Sequence, residues 1–527
     1  MKVFRIVLFV IVVSVLTTGC DSWLELKPEN EIVLEDFWKS KADVESVLAG
    51  CYKSLSERPV IERMIVWGEL RSDNMVEGRT IPAGSGLYDM RRILDGNLTR
   101  HNSYANWGPL YTTINYCNTL LSYAPEVREV DANFSQRDLN LVIGEATTLR
   151  ALAYFYLVRA FRDIPLILDP SINDTQDYDR PQDDEETVLN FIIDDLNDIL
   201  NKGWVRDSYG DRASDKGRIT RSAVNALLAD VYLWKEDYEN CIKACDRVLA
   251  DNNLRLVTDI EQFYAQVFYR GNSTESIFEI QFNERDVRNT AIVDLYSSLD
   301  NSRGYLAFPT SLGCDYATNY STQYSPFNAR VPGSVELEAT SDVRSWSFIR
   351  YEGGDAFSIF KYGGANVYQR DLISAKTYSY RNTTANWIVY RLADVMLMKA
   401  EAMVQADKDW DEAFKLVNDI YLRASETKEP LVADNYSNKV DREELVLRER
   451  QRELMFEGKR WFDLVRLARR GGSVDRLNRY VTLKRSDSPA PLGALVMDAL
   501  YMPIAKSELD ANENFKQNPY YDTLRDK

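Results

Sequence analysis

The residues of this 527-residue chain best equipped for chemistry are its acids, its tyrosines and a few cysteines, while histidine chemistry is confined to His101. One His excludes a multi-His metal site, and any Ser-His-Asp or Cys-His machinery would have to run through it. The densest charge pattern lies between Arg448 and Arg470, where Glu449, Glu453 and Glu457 recur every four residues beside Arg448 and Arg452. Carboxylates stacked on one helical face suit a hard cation. The reading we favour is plainer: acids and guanidinium groups pair with neighbours inside a scaffold. Asp73-Asn74-Met-Val-Glu77-Gly78 opens like a calcium loop, but Met holds the third position and no Glu the twelfth. The acidic run Asp174, Asp177, Asp179, Asp183 and Asp184 reads as solvated, its end opening a helix around Val188. Gly84-Ser-Gly86 is a lone GxG and no GxxxxGK[ST] occurs, so nucleotide binding has no support. No metal and no cofactor is expected, and nothing marks one carboxylate pair for glycoside hydrolysis.

Five cysteines follow Cys20: Cys51, Cys117, Cys241, Cys245 and Cys314, an odd count that argues against a full disulfide framework. Cys241 and Cys245 share a helical face, where Cβ vectors are poorly aimed for a disulfide, and read as buried small hydrophobes. A formal net charge of -17 would repel phosphate backbones and anionic lipids, so nucleic acid is not a partner. The 31 Tyr offer flat rings with polar tips that suit sugar faces or peptides, although any single ring more often packs a loop onto its frame.

These residues need a frame, and helices supply it. Apolar residues at three- and four-residue spacing predict helices over Leu141 to Phe161, Val188 to Leu200, Ser222 to Trp234, Tyr238 to Leu249, Leu392 to Val404, Trp410 to Leu422 and Glu443 to Ala468. Gly458 interrupts the last at a cost of roughly 1 kcal/mol against Ala, so a close approach or a kink must require it. Ala226 to Tyr232 with Tyr238, Ala244 and Leu249 form one helical hairpin, and Ala393 to Ala402 with Trp410, Ala413 and Ile420 another. Small inner residues and an aromatic opening the second helix resemble tetratricopeptide repeats of about 34 residues. Two stretches lack sustained helical period: Trp67 to Trp107, and Val257 to Asn386 with Tyr305, Tyr316, Tyr320, Tyr324, Trp346, Tyr351, Tyr362, Tyr368, Tyr378 and Tyr380. Loops this long are usually functional.

At the N-terminus, Lys2 and Arg5 precede an apolar run from Ile6 to Leu16, too short to span a bilayer, which needs about 20 residues. Leu16-Thr17-Thr18-Gly19-Cys20 resembles a bacterial lipobox, with cleavage leaving Cys20 to be acylated and acyl chains providing the anchor. Farther on, Gly144-Glu-Ala-Thr-Thr-Leu-Arg150 through Arg159-Ala-Phe-Arg-Asp163-Ile-Pro165-Leu, Tyr390-Arg391-Leu-Ala-Asp394 through Glu401, Arg448 through Glu453, Glu457-Gly458-Lys-Arg460-Trp461-Phe-Asp463 and Arg466, Met502-Pro503-Ile504 through Glu508, Asp510 and Asn512, and Gln517-Asn518-Pro519 resemble, in order, the SusD/RagB outer-membrane lipoproteins. Pro28 fits as well. The resemblance implies a mainly α, TPR-like helical-hairpin scaffold with a large loop-rich ligand-binding face. It implies a signal peptide over 1–19, an N-terminal SusD-like region over 20–256, a loop-rich ligand-facing region over 257–386 and a C-terminal helical region over 387–527. It further implies a non-catalytic protein at the cell outer membrane, lipid-anchored and surface-exposed, that binds glycans, or alternatively peptides, and acts as the lid of a SusC-like TonB-dependent transporter. The rival classes are a glycoside hydrolase and a TPR adaptor. Position and chemistry nominate Asp73, Asn74, Arg79 and Tyr88 in the first loop region and Tyr316, Tyr320 and Trp346 in the second as ligand contacts, with Cys20 lipidated. Trp67 and Trp107 adjoin helices and read as core.

Overall fold

Short polar residues start the helices. Ser40 forms a reciprocal capping box with Asp43 before α1 (Lys41–Ser56). The next long elements are α2 (Ser85–Leu94) and α3 (Gly108–Val130). Ser135, Asp184, Thr220 and Asp237 accept backbone hydrogen bonds at the starts of α4 (Gln136–Phe161), α5 (Glu185–Asn201), α6 (Arg221–Trp234) and α7 (Tyr238–Leu249). In the C-terminal part, Asp409 caps α9 (Trp410–Ala424) after α8 (Leu392–Gln405), and Asn438 caps α10 (Lys439–Leu454), which precedes α11 (Arg460–Gly471). The computed structural model describes residues 37–76, 85–172, 179–296, 306–307, 342–353, 356–364, 384–481 and 494–522.

Each helix packs on the one before it in a continuous stack: α3 on α1, α4 on α3, α5 on α4, then α6, α7, α8 and α9, with α10 also against α8. Helix α4 is the axis of this pile. From Gly144 to Phe161 every residue on it is buried, as expected of a helix apolar on all sides. The two predicted hairpins are α6–α7 and α8–α9, and α7 lies directly on α8. Hairpins almost 150 residues apart in sequence are therefore adjacent repeats, and the segment between them is an insertion. After β1 (Met75–Val76), in the N-terminal part, the insertion's base is closed by two strands: β2 (Ser276–Ile280), near its start, pairs antiparallel with β6 (Trp387–Arg391) at its end. Between them run β3 (Leu306–Ala307), β4 (Ile349–Gly353) and β5 (Ala356–Ile359).

Three expectations change. The helix predicted from Glu443 to Ala468 is two helices, because Phe456 (φ 66°) and Gly458 (φ 70°) take left-handed conformations between α10 and α11. The close approach that Gly458 implied is real: a Cβ on Gly68 would lie 1.9 Å from the Gly458 carbonyl oxygen. The stretch from Trp67 to Trp107 contains the ten-residue helix α2 and a π-turn at Val66–Leu70, and the second stretch contributes β2 to β5. Other local readings hold. Asp184 opens α5 by accepting from Thr187 N at 2.7 Å. Cys51, Cys117, Cys241 and Cys245 are buried free thiols, and Trp67 and Trp107 are core. Cys314 lies outside the described residues.

Candidate ligand-binding face

The two stretches read as loops come together in one sheet. Its strand order is β1-β3-β5-β4, so Met75 and Val76 of the first stretch pair with Ala307 and Leu306 of the second. Leu306 pairs in turn with Ser358, and β5 with β4. Just after β5 the chain enters an aromatic cluster: Tyr362 stacks on Trp387 with centroids 5.3 Å apart and on Tyr296 at 6.3 Å, and Tyr264 donates its hydroxyl to the Phe360 carbonyl at 2.6 Å. All of these rings are buried. Tyr362, one of the loop tyrosines, is therefore a packing residue.

Beside the aromatic cluster lies the acid run. Glu449, Glu453 and Glu457 are buried among cations brought by other segments. Arg391 donates through Nη1 to Glu275 at 2.7 Å and to Glu453 at 2.5 Å, and through Nε and Nη2 to Glu457 at 2.9 and 2.6 Å. Arg344 holds Asp342 through Nε and Nη2, and through Nη1 reaches Glu449 at 2.7 Å and Glu453 at 2.8 Å. Lys361 donates to Glu457 at 2.6 Å and to the carbonyls of Glu453 and Met455. Arg423 pairs with Glu275 at 2.8 Å and with Glu453. Burial alone would push the Glu453 carboxyl up, but Arg423, Arg391 and Arg344 outweigh it and hold the group well below the usual range. For Lys361 burial wins, lowering its ammonium to about 8 despite Glu457. These acids are thus scaffold, as the plainer reading expected. Because Arg344 precedes β4 and Lys361 follows β5, the network fixes both ends of the β4–β5 hairpin to α10 and the turn after it.

The nominated contacts divide. Asp73 and Asn74 stand immediately before β1 with their polar atoms turned inward: Asp73 accepts from Arg460 Nε and Nη2 at 2.8 and 2.9 Å, and Asn74 accepts from Gln451 at 2.8 Å and donates to Glu69 at 2.7 Å. Both are buried, so they register the strand against α10 and α11 instead of lining the surface. Tyr88 is 57% exposed on α2. Trp346 lies on the short helix Arg344–Ser347, between the Arg344 anchor and β4. Arg79, Tyr316, Tyr320 and Cys20 fall outside the described residues. One residue that the sequence reading missed is Arg92, whose guanidinium sits 4.6 Å from the Tyr88 ring centroid and donates to its hydroxyl at 3.0 Å. The i, i+4 spacing carries that signal, which shows only once 85–94 is helical.

This architecture matches known proteins along nearly its whole length. Residues 22–233 match a family described as "Starch-binding associating with outer membrane", and residues 366–521 match the SusD family. A SusD-like protein of Formosa agariphila, P38, is 26% identical over 97% of this chain and 98% of its own. The chain belongs to the SusD/RagB family. Another SusD-like protein, from Bacteroides ovatus, is 24% identical over 86% of this chain and 80% of its own. Among solved structures, NanU of B. fragilis superposes with a TM-score of 0.67 at 22% identity, covering 94% of this chain and all of its own. Surface glycan-binding protein A from Bacteroides uniformis gives 0.69 at 18% identity, covering 91% and 100%. The mainly α, TPR-like frame is thus that of SusD/RagB proteins.

Proposed function

We propose that this SusD/RagB protein is a lipid-anchored, surface-exposed glycan-binding protein of the outer membrane that captures oligosaccharides without cleaving them and passes them to a SusC-like TonB-dependent transporter, over which it acts as a lid. The reading rests on the convergence of two long stretches on one sheet, with Tyr88 exposed on the neighbouring helix α2. The match to a starch-binding family associating with the outer membrane and the likeness to a surface glycan-binding protein favour sugars as the ligand class.

Tyr88 with Arg92, Trp346, Arg79, Tyr316 and Tyr320 are the proposed contacts: rings against sugar C–H faces, guanidinium groups on vicinal hydroxyls. A glycan array with a peptide panel as control tests this directly. Glycan binding that disappears in Tyr88→Ala/Trp346→Ala, with thermal stability nearly kept, is the expected result. Binding confined to peptides, or new reducing ends released from a glycan, would overturn the assignment.

Anchoring is proposed through Cys20. Cys20→Ser should abolish labelling by a palmitate analogue and shift the protein out of the membrane fraction, or leave it there with its signal uncleaved. Membrane fractionation with a cleaved signal and no label would remove the lipoprotein reading. From gentle detergent, affinity capture of the native protein should bring down a large β-barrel through a contact of well over about 1,000 Å².

A further inference from the structure

A cleft of about 520 Å³ opens on the helical frame, between the first turn of α4 and the connection from α5 to α6. Its volume lies within the roughly 300–1,000 Å³ usual for small-molecule sites. Arg137, Lys202, Arg206 and Arg221 line it with a single carboxylate, Asp207, in a chain whose net charge is -17. Two of these cations are already engaged: Arg221 pairs with Asp207 at 2.6 Å and Lys202 with Asp198 at 2.7 Å. Arg137 and Arg206 have no carboxylate partner among the described residues, and the only contact of the Arg206 guanidinium there is the Tyr209 ring, 5.5 Å away.

The wall carrying these groups is built, not loose. Gly203 (φ 69°) ends α5, and Trp204 N donates back to the Ile199 carbonyl at 2.9 Å. The Trp204 carbonyl then lies so close to α4 that a Cβ on Gly144 would stand 2.0 Å from it. With the Asn140 amide turned over, its oxygen accepts from Trp204 Nε1 at 3.1 Å and fixes the indole in the wall. Farther along, Asp215 accepts from Ser208 Oγ at 2.9 Å and Tyr209 N at 2.5 Å, Arg221 N donates to the Arg206 carbonyl at 2.8 Å, and Arg218 grips Glu145 of α4 at 2.7 and 3.0 Å.

We propose that this cleft is a second ligand site that binds an acidic saccharide unit, with Arg137 and Arg206 taking the carboxylate or sulfate; the Trp204 ring is itself covered by Lys202 Nζ, 4.5 Å from its centroid. The inference rests on the glycan-binding reading only in taking the ligand to be a saccharide; its location is independent of the loop face. Planar guanidinium groups match both anions in a bidentate way. Half-exposed cations are screened, so binding is modest and weakens with salt.

Calorimetric titration of the full-length protein in detergent with trigalacturonate, a sulfated trisaccharide and maltotriose tests the site. At least one acidic probe should bind tenfold or more tighter than maltotriose, and which one does so distinguishes carboxylate from sulfate. Arg137→Gln/Arg206→Gln should weaken that binding at least tenfold without moving Tm. Arg58→Gln/Arg180→Gln, the same loss of charge elsewhere, should change it less than twofold. Three results would each overturn the site: no preference for an acidic probe, wild-type affinity in Arg137→Gln/Arg206→Gln, or an equal loss in the distant charge variant. Loss in Tyr88→Ala alone would assign the acidic ligand to the loop face and also reject the cleft, while failure of Tyr88→Ala to affect neutral glycans would bear on the loop face only.

Discussion

Glu453→Ala is expected to destabilise the protein by about 3–5 kcal/mol, a large part of the roughly 5–15 kcal/mol that holds an ordinary domain together. The reason is what remains behind. Glu453 accepts from Arg391 and Arg344 and pairs with Arg423, and none of the three has appreciable contact with water. Removing the carboxylate leaves buried guanidinium charge short of a counter-ion, which costs far more than the intact pair contributes. Glu453→Gln keeps the shape and one acceptor, and should lie between Ala and wild type. Urea midpoints with unchanged slope would measure the effect. A Glu453→Ala midpoint within error of wild type would mean that the cluster is hydrated and not the staple described above. The same network gives a pH signature. The folded-state pKa of Glu453 is depressed, and that of Asp394, where burial is outweighed by Lys459 and Arg450, falls to about 2. A depressed carboxylate contributes stability that is complete above its unfolded value near 4 and is lost as pH falls through the folded value. Stability should therefore fall steeply between about pH 4 and 2, and less steeply in Glu453→Gln.

What the sequence disclosed follows from how local each signal is. The long helices were legible because their apolar spacing is dense and their caps are short polar residues a few positions upstream, as at Asp184 and Asp237. The hairpin α6–α7 was legible for the same reason. That α7 packs on α8 was not, because nothing near Leu249 announces a neighbour at Leu392. Helix α2 escaped because it lies in a glycine-rich stretch with no sustained helical period, and β1 and β3, at two residues each, carry no period at all. Asp73 and Asn74 show the limit most clearly. Two adjacent polar residues in a glycine-rich stretch look like surface ligands, and only the partners Arg460 and Gln451, almost 400 positions away, reveal that they point inward. Tyr362, by contrast, follows the expectation that a single loop tyrosine more often packs than faces a ligand. Likewise, Glu449, Glu453 and Glu457 were read correctly as scaffold because guanidinium groups beside them already suggested pairing.

Gly68→Ala is expected to cost more than any substitution of an exposed residue, at about 3 kcal/mol or more, through backbone collision alone. Its Cβ would stand 1.9 Å from the Gly458 oxygen, whereas real Cβ contacts essentially never fall below 3.0 Å, so the Val66–Leu70 turn and the α10–α11 turn would have to part by about 1 Å. Overpacking a dense interior commonly costs about 1–3 kcal/mol and occasionally more. Here the separation also strains Glu69, which accepts from Phe456 N at 2.9 Å and Gly458 N at 3.1 Å and so satisfies the donors of that turn. Gly458→Ala adds a second penalty, about 1–2 kcal/mol for an L residue held at φ 70°, with its Cβ 2.7 Å from the Met64 carbonyl oxygen. The two changes act on one contact, so the double variant should cost less than the sum of the singles. The turn also carries Glu457, the partner of Lys361 and Arg391, and so sets the height of the β4–β5 hairpin above the frame. Gly68→Ala should therefore weaken glycan capture at temperatures where the helical stack is still folded, seen as lost binding before the loss of far-ultraviolet ellipticity. If binding and ellipticity instead disappear together, the glycine contact holds the whole stack and has no separate hold on the ligand face.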